Sequence, residues 1–304
     1  MKSLVLHVGY SKAMSSWLQS MFRDMDGICY AEKTKYFTGI QQPSDDDIYL
    51  SKFSCRGNSG TWIESDEHML LPQSHPNRAI AITNLELIDQ LIDRIRSSQP
   101  PGFNIKIVMV LRNQVDMIIS RYIQYIRGQG GSMAPSRFLD EMVFDDQFRK
   151  YMDYRYSLVI DKLESEFGKD NVLVLLQEHA RQDIVAFVEN LTNFIGTSFY
   201  EGLMPKKGVN VSPSRRAIEI ERLINWLCLG SEKGRTGTAL DRTRRKFAIY
   251  GGIFVEKIDS VVFRNKQKEL IFSELEKQRI MDIFREDNIR LGDKLGIDLG
   301  VYKY

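Results

Sequence analysis

The chain has 304 residues, of which 43% are hydrophobic and 27% charged, with a formal net charge of +2. That is the balance of a globular protein, and it speaks against a general polyanion binder, so that any phosphate site must be local. Cys29, Cys55 and Cys228 are odd in number, far apart and without a CxxC pair, which speaks against a disulfide framework and a zinc site. No stretch reaches the ~20 apolar residues of a membrane span. The opening MKSLVLHVGY is too short for a signal h-region. The expectation is a cytoplasmic protein, with the Asn-x-Ser/Thr triplets at Asn190 and Asn210 as chance matches.

In chain order, Ser3–Val8 is a nearly continuous apolar run, the pattern of a strand buried on both faces of a parallel sheet. A helical pattern follows over about 13–24. Residues 26–77 mix Gly, Ser, Asp and aromatics without a period and read as a long loop. Strand Arg78–Thr83 and a helix over about 85–98 come next, then strand Ile105–Leu111 and a helix over about 114–128. A helix over roughly 145–167 stops at Gly168, a natural C-cap, and leads into strand Asn171–Leu176. Helices near 183–195, 213–228 and 267–296 occupy the C-terminal third. Between the last two lies a second irregular stretch, 230–265, rich in Gly, Lys and Arg. Strand, helix and strand in repetition imply right-handed crossovers and a parallel sheet. No linker or internal repeat is visible, so one α/β domain is expected over 1–304.

Ligands of open parallel sheets bind beyond the carboxyl ends of the strands. After the first strand comes Gly9-Tyr10-Ser11-Lys12-Ala13-Met14-Ser15-Ser16-Trp17. The second leads into Asn84-Leu85-Glu86, the third into Arg112 with Ser120 eight residues on, and the fourth into Gln177-Glu178-His179. Singly, each has an ordinary explanation. A lysine in a turn is usually solvated, Ser15 and Ser16 suit a helix cap, Arg112 suits an i,i+4 pair with Asp116, and Glu86 suits a helix first turn. Together, along one edge of a sheet, they describe an anion site with cations and hydroxyls on it. The spacing is not that of the usual nucleotide loop, which needs GxxxxGK and then Ser or Thr.

These residues resemble the sulfotransferases that use 3′-phosphoadenosine 5′-phosphosulfate (PAPS), of the bacterial and carbohydrate-modifying type. The family's phosphosulfate loop, GxPKTGTTxL, is similar to this chain at Gly9, Lys12, Ser16 and Leu18. Ser11 stands in place of its Pro, and Ala13-Met14 in place of Thr-Gly. The family's 3′-phosphate element, an Arg at a strand end with a Ser eight residues on and a Tyr beyond, is matched by Arg112, Ser120 and Tyr122. Gln114 replaces the Pro expected there. Weaker similarity lies in FGKDNVLVLLQEH, NVSPSRRAIEIERLINWL and the closing DNIRLGDKLGIDLGVYKY.

The resemblance implies a P-loop-like α/β domain, with the loops at about 26–77 and 230–265 on the acceptor side. It implies PAPS as co-substrate, 3′-phosphoadenosine 5′-phosphate (PAP) as product, and no metal. Backbone amides and hydroxyls from Gly9 to Trp17 would take the 5′-phosphate, because a helix N-terminus favours an anion. Lys12 would stabilise the oxygen that bridges phosphate and sulfate as negative charge builds on it. Arg112, with Ser120 as second donor, would hold the 3′-phosphate. Lys206, Lys207, Asn210 and Ser212 lie in KKGVNVSPS, where the family closes the nucleotide site. An acceptor hydroxyl needs a base, and Glu86 is the first choice, with His7, His68 and His75 as rivals.

Two other classes stay open from the residues alone. A P-loop kinase or other NTP-using transferase would need Mg²⁺ held by an acid after an apolar strand, a part that Glu178 could fill. A non-catalytic module for a nucleotide or anionic glycan would draw on the basic run 233–247, which also leaves peripheral membrane contact open. The expected partner is a hydroxyl-bearing acceptor, without nucleic acid. Acceptor identity and oligomeric state are not written in these residues.

Overall fold

Leu4, Val5, Leu6 and Val8 have no solvent exposure, and burial of each such side chain contributes about 1.5–3 kcal/mol. They make β1 (Lys2–Val8) the centre of a sheet, since a strand apolar on both faces must be covered on both. A computed structural model of the chain describes residues 2–34, 49–57, 60–66, 69–70, 84–145, 153–198, 202, 213–229, 251–252, 255 and 271–304. β1 pairs in parallel with β4 (Thr61–Asp66) along one edge and with β5 (Phe103–Leu111) along the other. Beyond β4 lies the parallel β2 (Cys29–Glu32), then the two-residue β3 (Ser54–Cys55), which is antiparallel to β2. Beyond β5 lies the parallel β6 (Val172–Leu176). The six-stranded order is β3-β2-β4-β1-β5-β6.

The helices are α1 (Ser15–Asp24), α2 (Asn84–Ser98), α3 (Gln114–Gln129), α4 (Pro135–Leu139), α5 (Tyr156–Phe167), α6 (Gln177–Gln182), α7 (Ile184–Ile195), α8 (Arg215–Leu229) and α9 (Glu274–Leu295). A single π turn, Asp140–Phe144, comes directly after α4. In α1, Leu18, Met21 and Phe22 recur at helical spacing and are buried. α5 buries Val159, Ile160 and Leu163 and stops at Gly168, whose φ of 84° and amide bond back to Glu164 match the expected cap. α7 starts where the Asp183 side chain accepts from Ala186 N, and ends at the left-handed Gly196.

The chain forms two compact units. The first spans Met1–Asn113, Asp153–Lys207 and Phe284–Tyr304 and holds the whole sheet. The second spans Gln114–Met152 and Gly208–Ile283. Within the second, Arg127 of α3 donates through Nε and Nη2 to the buried Glu221 of α8 at 2.8–3.0 Å. Asn225 donates to the carbonyls of Ile126 and Gly131, both at 2.8 Å. Tyr122 packs on Phe138 and Phe272 and donates to the Met133 carbonyl. It is a core residue of that unit.

β1, β5 and β6 lie where the apolar runs place them. The stretch 26–77 does not form one loop, because it supplies β2, β3 and β4. β2 and β3 are short, and β4 ends in Glu64-Ser65-Asp66, polar residues that are nonetheless buried, so hydropathy hides all three. Strand Arg78–Thr83 and the basic run 233–247 fall outside the described residues. The helix expected over 145–167 begins at Tyr156, and the one over 267–296 at Glu274. α6, directly after β6, has no counterpart in the hydrophobic pattern. No helix among the described residues is long and apolar enough to cross a membrane.

The cysteine reading is also corrected. Cys29 and Cys55 face each other in the β2–β3 register and are disulfide-bonded, which leaves Cys228 as the free thiol. Wide spacing in sequence hid a pairing that the strands create. Such bonds persist mainly in oxidising compartments, so this one weighs against the cytoplasmic expectation. Closing a loop of 26 residues restricts the unfolded chain by about 3 kcal/mol. Cys55→Ser should therefore lower stability by about that amount in urea unfolding, and adding reductant should erase most of the difference from the parent. A variant as stable as the oxidised parent would show the bond to be dispensable.

Candidate functional site

Four parallel strands end side by side in the first unit. Val8 is in register with Asp66, and Leu111 with Leu176. The chain leaves β1 into the Lys12 turn, β5 into Arg112, and β6 into Gln177-Glu178.

The turn after β1 is tight. Ala13 N donates to the Tyr10 carbonyl at 3.3 Å, and Trp17 N and Leu18 N donate to the Met14 carbonyl. Lys12 and Met14 both have positive φ, 80° and 61°. Side chains other than glycine pay roughly 1–2 kcal/mol for that conformation, so the turn is held by its surroundings. Met14 occupies the N-cap of α1 and provides no side-chain hydrogen bond there. Ser15, the first helical residue, is buried, and its Oγ has no partner among the described residues. Lys12 and Ser16 are exposed and Ser11 and Trp17 half-buried, while Gly9 and Ala13 are buried. An uncapped helix start with a buried, unpartnered hydroxyl suits a bound anion.

Tyr10 points elsewhere. Its ring packs on Tyr154 and Tyr156 at 5.4 and 5.2 Å, and burial, reinforced by Asp153, holds its phenol well above the usual range. Across the turn, Arg112 Nη1 donates to the Lys12 carbonyl at 3.1 Å. The two cations expected at the site are therefore tied through one backbone oxygen. Tyr156 Oη donates to the Arg112 carbonyl at 2.8 Å. Glu178 Oε1 accepts from Asn113 N at 3.0 Å, and Tyr304 Oη donates to its other oxygen at 3.2 Å.

The acids divide by place. Glu86 stands exposed in the first turn of α2. Its assignment as base requires strand Arg78–Thr83 to pair with β1, and both edges of β1 are filled by β4 and β5. The strand that does lie beside β1 ends in Asp66, which is buried. His7 is also buried; its Nδ1 is 2.7 Å from Ser65 Oγ and its ring is edge-on to Phe22, the environment of a core histidine. Two rows of side chains meet on β4. Ser65 faces His7, while Glu64 accepts from Thr34 Oγ1 and from Tyr49 Oη at 2.7 Å.

No protein-family model matches the chain, and no curated protein matches it in sequence. Among solved structures, a sulfotransferase from Alicyclobacillus acidocaldarius is similar over 100% of both chains, with a TM-score of 0.59 at 14% identity. The chain has the sulfotransferase fold. Mouse sulfotransferase SULT7A1 complexed with PAP is similar over 94% of this chain and 83% of its own, at 13% identity and a TM-score of 0.46. A sulfotransferase domain from the curacin biosynthetic pathway is similar over 81% of this chain and 97% of its own, at 9% identity and 0.40.

On this sulfotransferase fold, the structure brings together Lys12, Ser15 and Arg112 from the expected set. Ser120 is half-buried on α3, in the second unit. His68, His75, Lys207, Asn210 and Ser212 lie outside the described residues. Glu178, the acid a kinase reading would assign to Mg²⁺, is committed to Asn113 and Tyr304. Asp66 and Glu64 escape sequence reasoning because Ile-Glu-Ser-Asp does not read as a strand end. The apolar Trp62-Ile63 before it is the available signal.

Glu64 makes this edge sensitive to pH. Burial pushes its carboxyl up from 4.5 to about 7; Asp66 adds to the rise, and the Thr34 and Tyr49 hydrogen bonds and Lys52 oppose it. The folded chain thus keeps this proton where the unfolded chain has released it. The group's contribution is whole below about pH 4.5 and is lost as pH rises through 7. Glu64→Gln should be more stable than the parent above pH 7, by on the order of 3 kcal/mol, with the gap closing towards pH 4.5. Urea unfolding across that range measures it, and a gap that does not change with pH would remove the assignment.

Proposed function

We propose that the chain moves a sulfuryl group from PAPS to a hydroxyl of an acceptor, a carbohydrate, lipid or small alcohol, and releases PAP. The observation that carries this reading is the Lys12–Ser15 turn. It is left-handed at two non-glycine residues, uncapped at α1, has a buried hydroxyl with no partner among the described residues, and is bonded to Arg112. Retained strain together with an unsatisfied buried hydroxyl supports a ligand at this turn.

PAPS supplies an activated sulfuryl group, and the residues of this chain do the rest. The amides and hydroxyls at Ser15 and Ser16 hold the 5′-phosphate. Arg112 takes the 3′-phosphate through its planar fork, and the spacing of Ser120 in the sequence makes it the second donor. Lys207, Asn210 and Ser212 complete the nucleotide site by the same sequence reasoning. As the acceptor oxygen bonds to sulfur, the bond from sulfur to the bridging oxygen breaks, and Lys12 neutralises the charge left on that oxygen. A base takes the acceptor's proton. Glu86 is the base read from the sequence, and Asp66 is the acid that the topology sets beside the Lys12 turn.

Calorimetry should find PAP bound far more tightly than AMP, and Arg112→Ala should cost roughly 2–3 kcal/mol of PAP affinity. Equal affinity of the parent for both nucleotides would remove the 3′-phosphate assignment. Lys12→Ala should keep most PAP affinity and lose on the order of 100- to 1,000-fold in kcat; a normal kcat would reduce Lys12 to a binding contact. Of Glu86→Gln and Asp66→Asn, the variant that abolishes transfer together with the rising limb of the pH profile, while PAP still binds, identifies the base. Full activity in both would exclude the two acids.

A further inference from the structure

Arg112 and Asn113 come directly after β5, and their backbone is gripped from two directions. Tyr156 Oη donates to the Arg112 carbonyl at 2.8 Å. Glu178 Oε1 accepts from the Asn113 amide at 3.0 Å and from Asn113 Nδ2 at 3.3 Å. Both side chains are buried, and each is itself anchored. Tyr156 opens α5, whose first turn is tied to Asp287 through Ser157 N at 3.2 Å and through Ser157 Oγ. Glu178 lies just past β6, whose Leu176 is in register with Leu111, and its second oxygen accepts from Tyr304. Beyond the grip, the Arg112 guanidinium reaches the Lys12 carbonyl, and the Tyr156 ring packs on Tyr10 in the same turn.

We propose that Tyr156 and Glu178 are positioning residues which, by fixing the Arg112–Asn113 backbone, set the Arg112 guanidinium against the Lys12 turn and so tune the site for a nucleotide carrying a 3′-phosphate. This role rests on the proposed PAPS chemistry. Neither residue touches the nucleotide; both act through Arg112. A guanidinium on a fixed backbone has less freedom left to lose when it meets an anion, so the benefit falls on the phosphate it meets. Burial keeps the Tyr156 phenol protonated well above the ordinary range, so it remains a donor wherever the fold persists. Tyr156→Phe removes that donor and keeps the ring on Tyr10.

The test uses PAP and AMP, which differ at the 3′-phosphate, titrated into the full chain, into Tyr156→Phe and Glu178→Gln, and into each of these combined with Arg112→Ala. Urea unfolding identifies conditions in which each variant is folded. Tyr156→Phe should weaken PAP about tenfold and AMP by less than about twofold, and the PAP effect should shrink below about twofold in the Arg112→Ala background. Glu178→Gln keeps an uncharged acceptor for Asn113 and should show the same selectivity at about threefold, because the charge-assisted bond is lost. It carries the test independently if Tyr156→Phe does not fold. PAP and AMP weakened in proportion, PAP unaffected, or a loss that persists without Arg112 would each overturn the positioning role. A parent that binds both nucleotides equally would instead overturn the PAPS reading on which the role rests.

Discussion

The hydrogen bonding of β1 along both edges is the constraint on which the rest depends. Because β4 and β5 fill those edges, the chain leaving Val8 turns beyond the carboxyl end of the sheet. It does so in the few residues between Gly9 and Ser15. Within those residues Lys12 and Met14 are left-handed, a conformation that the surroundings of the turn must hold. The same pairing sets Asp66 on one side of the turn and, through β5, Arg112 on the other. Register along three strands thus settles which charged residues stand at neighbouring strand ends.

Much of this was legible in the residues. A strand apolar on both faces announces itself, and β1, β5 and β6 are such strands, so the parallel character of the sheet and the polar residues at its carboxyl edge could be read directly. That Lys12 and Arg112 fall at neighbouring strand ends could be read too, although each alone has an ordinary explanation, and the structure joins them through the Lys12 carbonyl. The β2–β4 half could not. Glu64, Ser65 and Asp66 are buried by a fold whose contacts are distant in sequence, with Thr34 and Tyr49 on Glu64 and His7 on Ser65. Polarity without such partners looks like solvent exposure. The place beside β1 that the Glu86 reading gave to strand Arg78–Thr83 is taken by β4, which hydropathy hides.

Glu178 shows a different limit of reading by position. An acid after an apolar strand is a metal ligand in one class of enzyme and a backbone clasp in another, and no local spacing distinguishes them. Its use here is decided by Asn113 and by Tyr304, the last residue of the sequence. Both of its oxygens are thereby engaged by hydrogen-bond donors of this chain. Tyr10 carries a similar lesson, since its position in the turn after β1 does not reveal that its ring packs on Tyr154 and Tyr156.

The two-residue β3 has a consequence for behaviour at high concentration. It is antiparallel on a sheet that is otherwise parallel, and it covers the outer edge of β2 with Ser54 and Cys55, both exposed. An uncovered strand edge is a template on which a second chain can add its own backbone. So short a strand gains little from its own hydrogen bonds, and what fastens it is the covalent link from Cys55 to Cys29. The link therefore keeps the outer edge of β2 paired with its own chain, so that what a second chain would meet there is a strand of only two residues.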